Sequence, residues 1–209
     1  YTTYVNAENS IAETQYAHLE TQRWALQTAT MHNLILQASE SDNLQATLQS
    51  CVDMVCEVEG WPIGHCYVID EEDSNWLTSS GIWNIEGGGF PELRDITART
   101  RFKRGVGLPG QVLESGKVVW IVDVQKDELF LRSKTSVDIG VKGAFAAPVI
   151  VANETIAVLE YFTVDAVEPD EQLMKFVELL GEQVGQVIER QRAVAKIAEA
   201  EKYLQTVTN

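Results

Sequence analysis

Three glycines near the middle of the chain, Gly105, Gly107 and Gly110, have the spacing G-x-G-x-x-G found where proteins bind dinucleotide phosphates. That chemistry needs an apolar strand before the first glycine and a sizeable helix after the last one, so that the helix N-terminus faces the phosphates. Here the polar, basic stretch 99–104 precedes the glycines, and the helix after them ends at Gly116 after about one turn. The pattern therefore predicts a tight loop and a short helix rather than a nucleotide site.

The three cysteines, Cys51, Cys56 and Cys66, lack the C-x-x-C spacing of zinc and redox sites. Cys51 and Cys56 fall on the apolar stripe of a helix predicted over 42–58, and Cys66 falls in an apolar strand. Free cysteine often serves as a small buried hydrophobic residue. We therefore expect structural thiols in a reducing compartment, which favours a cytoplasmic location.

Histidine could bind a metal, or supply the axial nitrogen that haem iron needs. His18 and His32 fall in a polar N-terminal helix and His65 falls in a strand, so none of them has metal-ligand spacing. We expect His65 to be a hydrogen-bonded structural residue, and we expect neither a metal nor a haem. Since no Ser/His/Asp set or close His–carboxylate cluster is evident either, the sequence predicts no catalytic residue and no enzyme.

Aromatic side chains are concentrated in the predicted strands, where some of them could line a small-molecule pocket. The candidate ligand-binding residues are Trp83, Phe102, Trp120, Phe145 and Tyr161, with polar contacts from Arg101 and Thr163. The basic stretch from Arg94 to Arg104 could anchor an anionic ligand. The alternatives are an ordinary aromatic core and a solvated basic loop that pairs with acidic neighbours.

The net charge is −15, from 31 acidic and 16 basic side chains. Such a surface repels phosphate backbones, so we expect no nucleic-acid partner. Hydrophobic residues make up 45% of the chain and charged residues 22%, which is typical of a globular protein. Since no apolar run approaches the roughly 20 residues that cross a bilayer, we expect no membrane segment in this chain.

Two long helices should frame these residues. Near the N-terminus, apolar residues recur every seven positions on a helix that is otherwise polar: Val5, Ala12, Leu19 and Leu26. This thin seam is typical of a two-stranded coiled coil, and the alternative is a helix that lies against its own domain. At the C-terminal end, a helix that opens at Pro169 runs without a breaker into 193–205.

Between the long helices the pattern predicts an α+β domain. Strands over 63–70 and 76–85 flank an acidic turn, and strands over 142–152 and 155–164 flank a two-residue turn, so each pair predicts an antiparallel hairpin. A further short strand is predicted over 118–124. The amphipathic stretch 127–139 is predicted to be helical.

Several stretches in this region resemble GAF domains of bacterial signalling proteins such as sensor histidine kinases and cyclases. They are the loop and strand FKRGVGLPGQVLESGKVVWIVDV from Phe102 to Val124, GAFAAPV from Gly143 to Val149, AVLEYF from Ala157 to Phe162, and GEQVGQVIER from Gly181 to Arg190. The matches occur in the family's order and extend the resemblance over about 39–192.

The resemblance implies an antiparallel sheet of five or six strands, with helices on one face that mediate dimers and loops on the other that cover a small-molecule pocket. The implied organisation is an N-terminal signalling helix over 1–38, a GAF domain over 39–192, and a C-terminal exit helix over 193–209 toward an output domain. The helices on either side of the domain are expected to form coiled coils in a homodimer. The expected interface residues are Leu19, Leu26, Leu180, Val187 and Val194.

For function, the resemblance implies a sensory module of a cytoplasmic signalling protein, such as a two-component system, that transmits a ligand or redox state through its flanking helices. The alternative is a GAF-fold dimerisation spacer without a ligand, which holds output domains in register. GAF domains that carry a covalent bilin attach it through a Cys in the helix that corresponds to 127–139. That stretch has neither Cys nor His, which excludes covalent bilin at this position.

Overall fold

The computed structural model describes residues 2–41, 43–85, 87, 89–128, 130–134 and 139–207. Its helices are α1 (Thr2–Glu40), α2 (Leu44–Glu59), α3 (Pro91–Arg99), α4 (Gly107–Ser115) and α5 (Glu171–Val207). Its strands are β1 (Ile63–Ile69), β2 (Trp76–Ile85), β3 (Phe102–Lys103), β4 (Val119–Ile121), β5 (Gly143–Val151) and β6 (Glu154–Thr163). The chain is thus an α+β protein with a long helix at each end, as predicted.

The strands form one antiparallel sheet of six in the order β3-β2-β1-β6-β5-β4, which confirms the predicted sheet of five or six strands. Both predicted hairpins are present, and β1 pairs with β6 at the centre. In the β5–β6 turn, Ala152 and Asn153 have positive φ angles of 50° and 65°, which suits the twist of a two-residue hairpin. Because side chains alternate along a strand, neighbouring residues of β5 and β6 face opposite sides of the sheet.

One face of the sheet is covered by α2 and α5, on which α1 packs, and we call these three helices the helix layer. Its core is apolar, and among its fully buried members are Leu48 and Val52 of α2 and Leu180 and Val184 of α5. α2 begins where the Asn43 side chain accepts a hydrogen bond from the Ala46 N–H, at 3.1 Å. The amphipathic stripes that predicted α2 and α5 are therefore the faces that pack on the sheet.

Two glycines bring α5 into contact with the sheet. A Cβ atom at Gly181 would overlap the carbonyl oxygen of Pro148, and one at Gly185 would overlap that of Ile150. Both oxygens belong to β5. The two glycines therefore let the backbone of α5 lie directly on β5.

The other face of the sheet is covered by α3, α4 and the described residues 124–128, 130–134 and 139–142, and we call it the loop-side face. Its core contains Leu93, Leu108, Val112, Phe130 and Ile139. The sequence pattern did not predict α3, since three consecutive glycines precede it and its residues are polar. The helix predicted over 127–139 is wrong for the described residues, which form only a 3₁₀ turn at Leu131–Lys134; residues 129 and 135–138 lie outside the description.

The helices α1 and α5 run parallel to each other. Arg23 near the middle of α1 contacts Asp170 just before α5, and Gln191 far along α5 donates to the carbonyl oxygens of Ala38 and Ser41 at 2.6 and 2.7 Å. The two helices therefore run in the same direction along the domain. The first part of α1 extends from the end of the domain where α5 begins, and the last part of α5 extends from the opposite end.

Candidate functional site

The predicted pocket residues are divided between the two faces of the sheet. Trp120, Phe145 and Tyr161 lie on the helix side, where Phe145 stacks on Trp120 at 5.1 Å and on Tyr161 at 4.8 Å between ring centroids. Phe102 is buried on the loop-side face, and Trp83 packs beside its core. The structure therefore does not bring these aromatic residues together in one pocket, because their strand positions alternate between faces.

The polar members of that prediction lie apart, Arg101 beside the edge strand β3 and Thr163 at the end of the inner strand β6. Arg101 is half-exposed, pairs with Asp70 at 2.8 Å and lies over the ring of Trp76. Thr163 pairs with Gly143 at the end of β6. In the basic stretch, the Arg104 guanidinium donates to the carbonyl oxygen of Leu113 at 2.7 Å. These contacts favour the alternative of a basic loop that pairs with acidic and backbone neighbours.

The glycine motif forms a turn, as predicted. The Gly105 N–H donates to the Gly110 carbonyl oxygen at 2.8 Å, and a Cβ atom at Gly110 would overlap the carbonyl oxygen of Lys103. The glycines thus allow two stretches of backbone to touch. This backbone contact leaves no room for a phosphate, and α4 ends at Gly116 after nine residues.

The centre of the loop-side face holds a buried ion pair between Arg132 and Glu160. Arg132 is 2% exposed and Glu160 is 0% exposed. The two terminal nitrogens of the guanidinium donate to the two carboxylate oxygens, at 2.8 and 2.6 Å. This is the bidentate geometry that makes arginine–carboxylate pairs strong and directional.

His65 and Thr97 extend this pair into a network. His65 Nδ1 lies 3.0 Å from a Glu160 oxygen, and His65 Nε2 lies 2.9 Å from the Ser79 hydroxyl. The Arg132 guanidinium also donates to the Thr97 hydroxyl at 3.0 Å. The partners come from β1, β2, β6, α3 and the 3₁₀ turn, so the network ties the sheet to the segments that cover it.

Burial and pairing set the protonation states in this network. Burial raises the pKa of Glu160, but the adjacent Arg132 guanidinium outweighs that effect and lowers the pKa to about 2. For His65, burial lowers the pKa by more than the hydrogen bond to Glu160 raises it. At neutral pH Glu160 is therefore ionised and His65 is neutral, and the charges of Arg132 and Glu160 cancel.

Three phenylalanine rings surround the guanidinium, and we call them the aromatic cage: Phe102, Phe130 and Phe162. The guanidinium carbon of Arg132 lies 5.3, 4.9 and 5.2 Å from their centroids. These distances are in the range of cation–π attraction, which is stronger where water is excluded. The position that the resemblance assigns to a small molecule is thus occupied by a charged side chain of the protein itself.

The sequence did not predict this network, although it carried one signal. Glu160 stands between Val158 and Phe162, two positions from each, and all three must face the same side of a strand. A carboxylate on a strand face that is otherwise apolar needs a buried partner. That partner could not be identified in advance, because Arg132 lies on an irregular turn where no periodicity places side chains.

The thiols lie away from the network. Cys51, Cys56 and Cys66 are buried and unpaired on the helix side of the sheet. Burial raises the pKa of Cys56 and of Cys66 to about 12 and raises that of Cys51 further. They are therefore protonated at neutral pH, as expected of structural cysteines.

A groove of about 960 Å³ opens at one end of the sheet, away from the network. The start of α2, the end of α4 and the β5–β6 turn form its walls, and its charged lining includes Arg104, Arg192, Glu71 and Glu114. The basic stretch contributes Arg104 to this lining, whereas none of the seven predicted ligand-binding residues that were named individually lines the groove.

The predicted dimer residues have different exposures. Leu19, Leu26 and Val194 are exposed by 62%, 54% and 59%. Val187 is partly buried against the core, and Leu180 is completely buried within the chain. The prediction of an interface role for Leu180 is therefore wrong, because that side chain packs against the sheet and cannot reach a partner.

Among the described residues, no helix has an apolar stretch long enough to cross a membrane. Within the same residues, no three His, Cys, Asp or Glu side chains are grouped so that they could hold a metal ion.

A family model for the GAF domain matches residues 41–189. A comparison with curated proteins found no match. Among solved structures, a free methionine-R-sulfoxide reductase from Neisseria meningitidis has a TM-score of 0.64 and 18% identity, covering 81% of this chain and 92% of that one. The GAF domain of an Acinetobacter phosphoenolpyruvate-protein phosphotransferase has a TM-score of 0.63 and 18% identity, covering 80% and 95%. The GAF domain of A. aeolicus NLH2 in an inactive state has a TM-score of 0.56 and 16% identity, covering 79% and 99%.

Proposed function

The chain belongs to the GAF domain family, and from that membership we propose that it is a sensory module of a cytoplasmic signalling protein. In this proposal the state of the core is passed to neighbouring domains through α1 and α5. The cytoplasmic location is supported by the unpaired thiols. The observation that carries the proposal is that both long helices are fixed to one core, since α5 packs on the sheet and α1 is bound to α2 and to the start of α5.

The attachment of α1 is polar and specific. The Arg23 guanidinium pairs with Glu59 at the end of α2 and, at 2.7 Å, with Asp170 before α5. Gln27, buried in α1, donates to Glu59 at 2.7 Å. A movement of α1 would therefore be transmitted to both of the other helices in the layer.

The attachment of α5 is a backbone contact. Since Gly181 and Gly185 place the helix directly against β5, the helix cannot rotate without moving that strand or leaving it. β5 in turn pairs with β6, which carries Glu160. A change in the network on the loop-side face thus has a short physical route to the helix layer, through two adjacent strands.

The proposal includes a parallel homodimer formed by the flanking helices. The inner face of α1 packs on its own domain through Gln27, Leu34 and Ala38. This face fits the alternative prediction, in which the helix lies against its own domain. Leu19, Leu26 and Leu36 stay exposed on another side of the same helix. Among the described side chains of α5, large exposed apolar residues beyond the core include Val194, Ile197 and Tyr203. Exposed apolar side chains on both helices support pairing with a second copy.

The test joins the C-terminal end of α5, in continuous helical phase, to the dimerisation helix of a reporter histidine kinase. Autophosphorylation is measured for the parent fusion and for an Arg132→Met core variant, after circular dichroism has shown that the variant domain is folded. A sensory module predicts that the core variant changes the rate several-fold. An insertion of two residues after Ala195 should alter that response, because it rotates the helix by about 200°, whereas seven residues should preserve it.

A specific observation favours a second function, the ligand-free dimerisation spacer. The loop-side face is filled by Arg132 and the aromatic cage, so the domain needs no added molecule to complete its core. A spacer predicts that the Arg132→Met fusion has the parent's autophosphorylation rate while the two-residue insertion still changes it. The same set of fusions therefore separates the two functions.

The placement of the thiols supports a role without catalysis. One structural neighbour is a free methionine-R-sulfoxide reductase, and a thiol-dependent reaction of that kind needs a reactive thiolate that its substrate can reach. In this chain the cysteines are buried under the helix layer with raised pKa values. We therefore propose that the chain is not such an enzyme.

A further inference from the structure

The buried network on the loop-side face has the composition of a receptor for a planar organic cation. We infer that Glu160, Thr97 and the aromatic cage form a guanidinium-binding site whose present occupant is the chain's own Arg132, and that molecules bearing a guanidinium or amidinium group are the ligand class that can take its place. This names a ligand class for the proposed sensory site. It rests on the proposed function only for its effect on signalling and not for binding.

All of the receptor groups except Phe130 belong to the regular part of the fold. Glu160 and Phe162 lie on the central strand β6, and Phe102 lies on β3, so their positions are fixed by the sheet. Thr97 is held in α3 and is completely buried. Arg132 instead comes from a four-residue 3₁₀ turn. Four of the five receptor groups are therefore built by the scaffold, whereas Phe130 and the occupant Arg132 come from one loop segment.

Charge favours a cation at this position. Without a guanidinium, the fully buried Glu160 would lose the partner that keeps its pKa low, and burial would then favour proton uptake at this site. A buried charge that has lost its partner is strongly unfavourable. An entering cation would restore the charge balance, whereas a neutral molecule of the same shape would not.

Shape favours a guanidinium over an ammonium. Both carboxylate oxygens and the Thr97 hydroxyl accept from one planar group at 2.6–3.0 Å, which a single ammonium nitrogen cannot reproduce. The flanking rings suit a flat, delocalised and weakly hydrated cation. A lysine-like ligand would leave one carboxylate oxygen without a donor and would keep more of its hydration.

The test removes the occupant and supplies a free one. The Arg132→Ala variant is titrated with methylguanidinium, and its thermal midpoint and two-dimensional amide NMR spectrum are recorded. At ten times its Kd a ligand of the native state should raise the midpoint by roughly 3–6 °C in a chain of this size. Methylammonium and N-methylurea should produce no comparable rise, and the wild type should respond only at far higher methylguanidinium concentrations, because the ligand must first displace Arg132.

Two further variants serve as controls. In Arg101→Ala a guanidinium is removed from a carboxylate and a ring as well, but the site is half-exposed, so methylguanidinium should not raise its midpoint. Adding Glu160→Gln to Arg132→Ala should abolish the response. If Arg132→Ala does not fold alone, methylguanidinium should restore its dispersed NMR spectrum.

Several results would overturn the inference. They are the absence of any midpoint rise or spectral recovery, an equal effect of methylammonium or N-methylurea, and a response that survives Glu160→Gln. Because binding is measured on the chain without a reporter, a negative result leaves the signalling proposal standing. Conversely, a silent reporter fusion leaves the binding result intact.

Discussion

At the scale of single residues, Glu160 is the side chain on which the loop-side face depends. It lies between Val158 and Phe162 in a strand buried on both sides, and it accepts hydrogen bonds from both Arg132 and His65. A buried ion pair contributes little net stability compared with an apolar pair, but the loss of one partner leaves a charge without compensation. The network should therefore be far more sensitive to single substitutions than to paired ones.

Replacement of the carboxylate alone should destabilise the fold. We expect Glu160→Leu to lower the free energy of unfolding by about 3–5 kcal/mol, since Arg132 would stay buried without its partner. The double variant Glu160→Leu with Arg132→Met should regain most of that loss. Urea denaturation of the two single variants and the double variant measures the coupling.

A surface pair is the control for this cycle. Asp70→Asn removes the partner of half-exposed Arg101 and should lower the stability by less than about 1 kcal/mol. Strictly additive effects of the Glu160 and Arg132 substitutions would contradict the coupling.

His65 should make the stability depend on pH below neutrality. Its pKa is lowered in the folded protein by burial, so the unfolded chain binds a proton more readily as the pH falls below its ordinary value of about 6.5. The free energy of unfolding should therefore be highest above that pH and should decrease between pH 7.5 and pH 5. Denaturation curves of the wild type at several pH values measure the decrease.

The same curves for His65→Gln isolate the contribution of the imidazole. That variant should lack the decrease above pH 5 and keep a second loss at lower pH. The second loss belongs to Glu160, whose pKa of about 2 in the folded state means that its contribution is complete above about pH 4.5 and is lost as the pH falls toward 2. An unchanged decrease in the variant between pH 7.5 and pH 5 would assign it to other groups.

Residue types could be predicted better than residue partners. The structural character of the cysteines and of His65 followed from their places on apolar stripes, because burial alone decides their behaviour. The division of Phe145 and Phe102 between opposite faces did not follow, since it requires the register between strands that are distant in sequence. Arg132 was missed for the same reason, because only the folded chain places its turn over β6.

At the scale of elements, the contact between α5 and β5 depends on backbone atoms of both the helix and the strand. We expect Gly185→Ala to lower the free energy of unfolding by about 1–3 kcal/mol, because the added Cβ would overlap the Ile150 carbonyl oxygen. Helix propensity alone predicts the opposite sign, a gain of about 1 kcal/mol. The midpoint of chemical denaturation decides between them.

The neighbouring exposed residue supplies the control. Gln186→Ala changes helix propensity at a position that faces solvent and should shift the midpoint only slightly. A stabilised Gly185→Ala variant would show that α5 can move away from the strand without loss.

The hairpins and the long helices were predictable because their signals are local, namely alternation, turn residues and uninterrupted heptads. The helix α3 and the two-residue strand β3 were not. α3 has mostly polar residues, and only Leu93 and Thr97 are buried among them, so its apolar stripe is too narrow to stand out in the sequence. β3 owes its existence to pairing with β2 at Trp76 and Leu77.

At the scale of the whole molecule, the net charge of −15 opposes self-association, so any dimer must rely on apolar seams. We expect Leu19→Asp with Leu26→Asp to weaken the proposed homodimer by at least about tenfold in Kd. The reason is that both side chains are exposed and would bring charges into the interface. Sedimentation velocity over a range of concentrations measures the effect.

Trp24→Asp is the matched control. Trp24 is 46% exposed on the same helix, but a rotation of about 100° per residue places it away from the seam. Its replacement should leave the Kd unchanged. A dimer that is insensitive to the leucine substitutions would place the interface on another surface.

The parallel course of α1 and α5 also determines how copies of this domain can be linked in tandem in one chain. The first part of α1 extends from one end of the domain and the last part of α5 from the opposite end. α5 of one copy can therefore continue as α1 of the next. Such tandem arrays would keep a single direction and a common axis. Gene duplication could therefore lengthen such an array without changing the direction of its last helix, provided that each added linker preserves the helical phase.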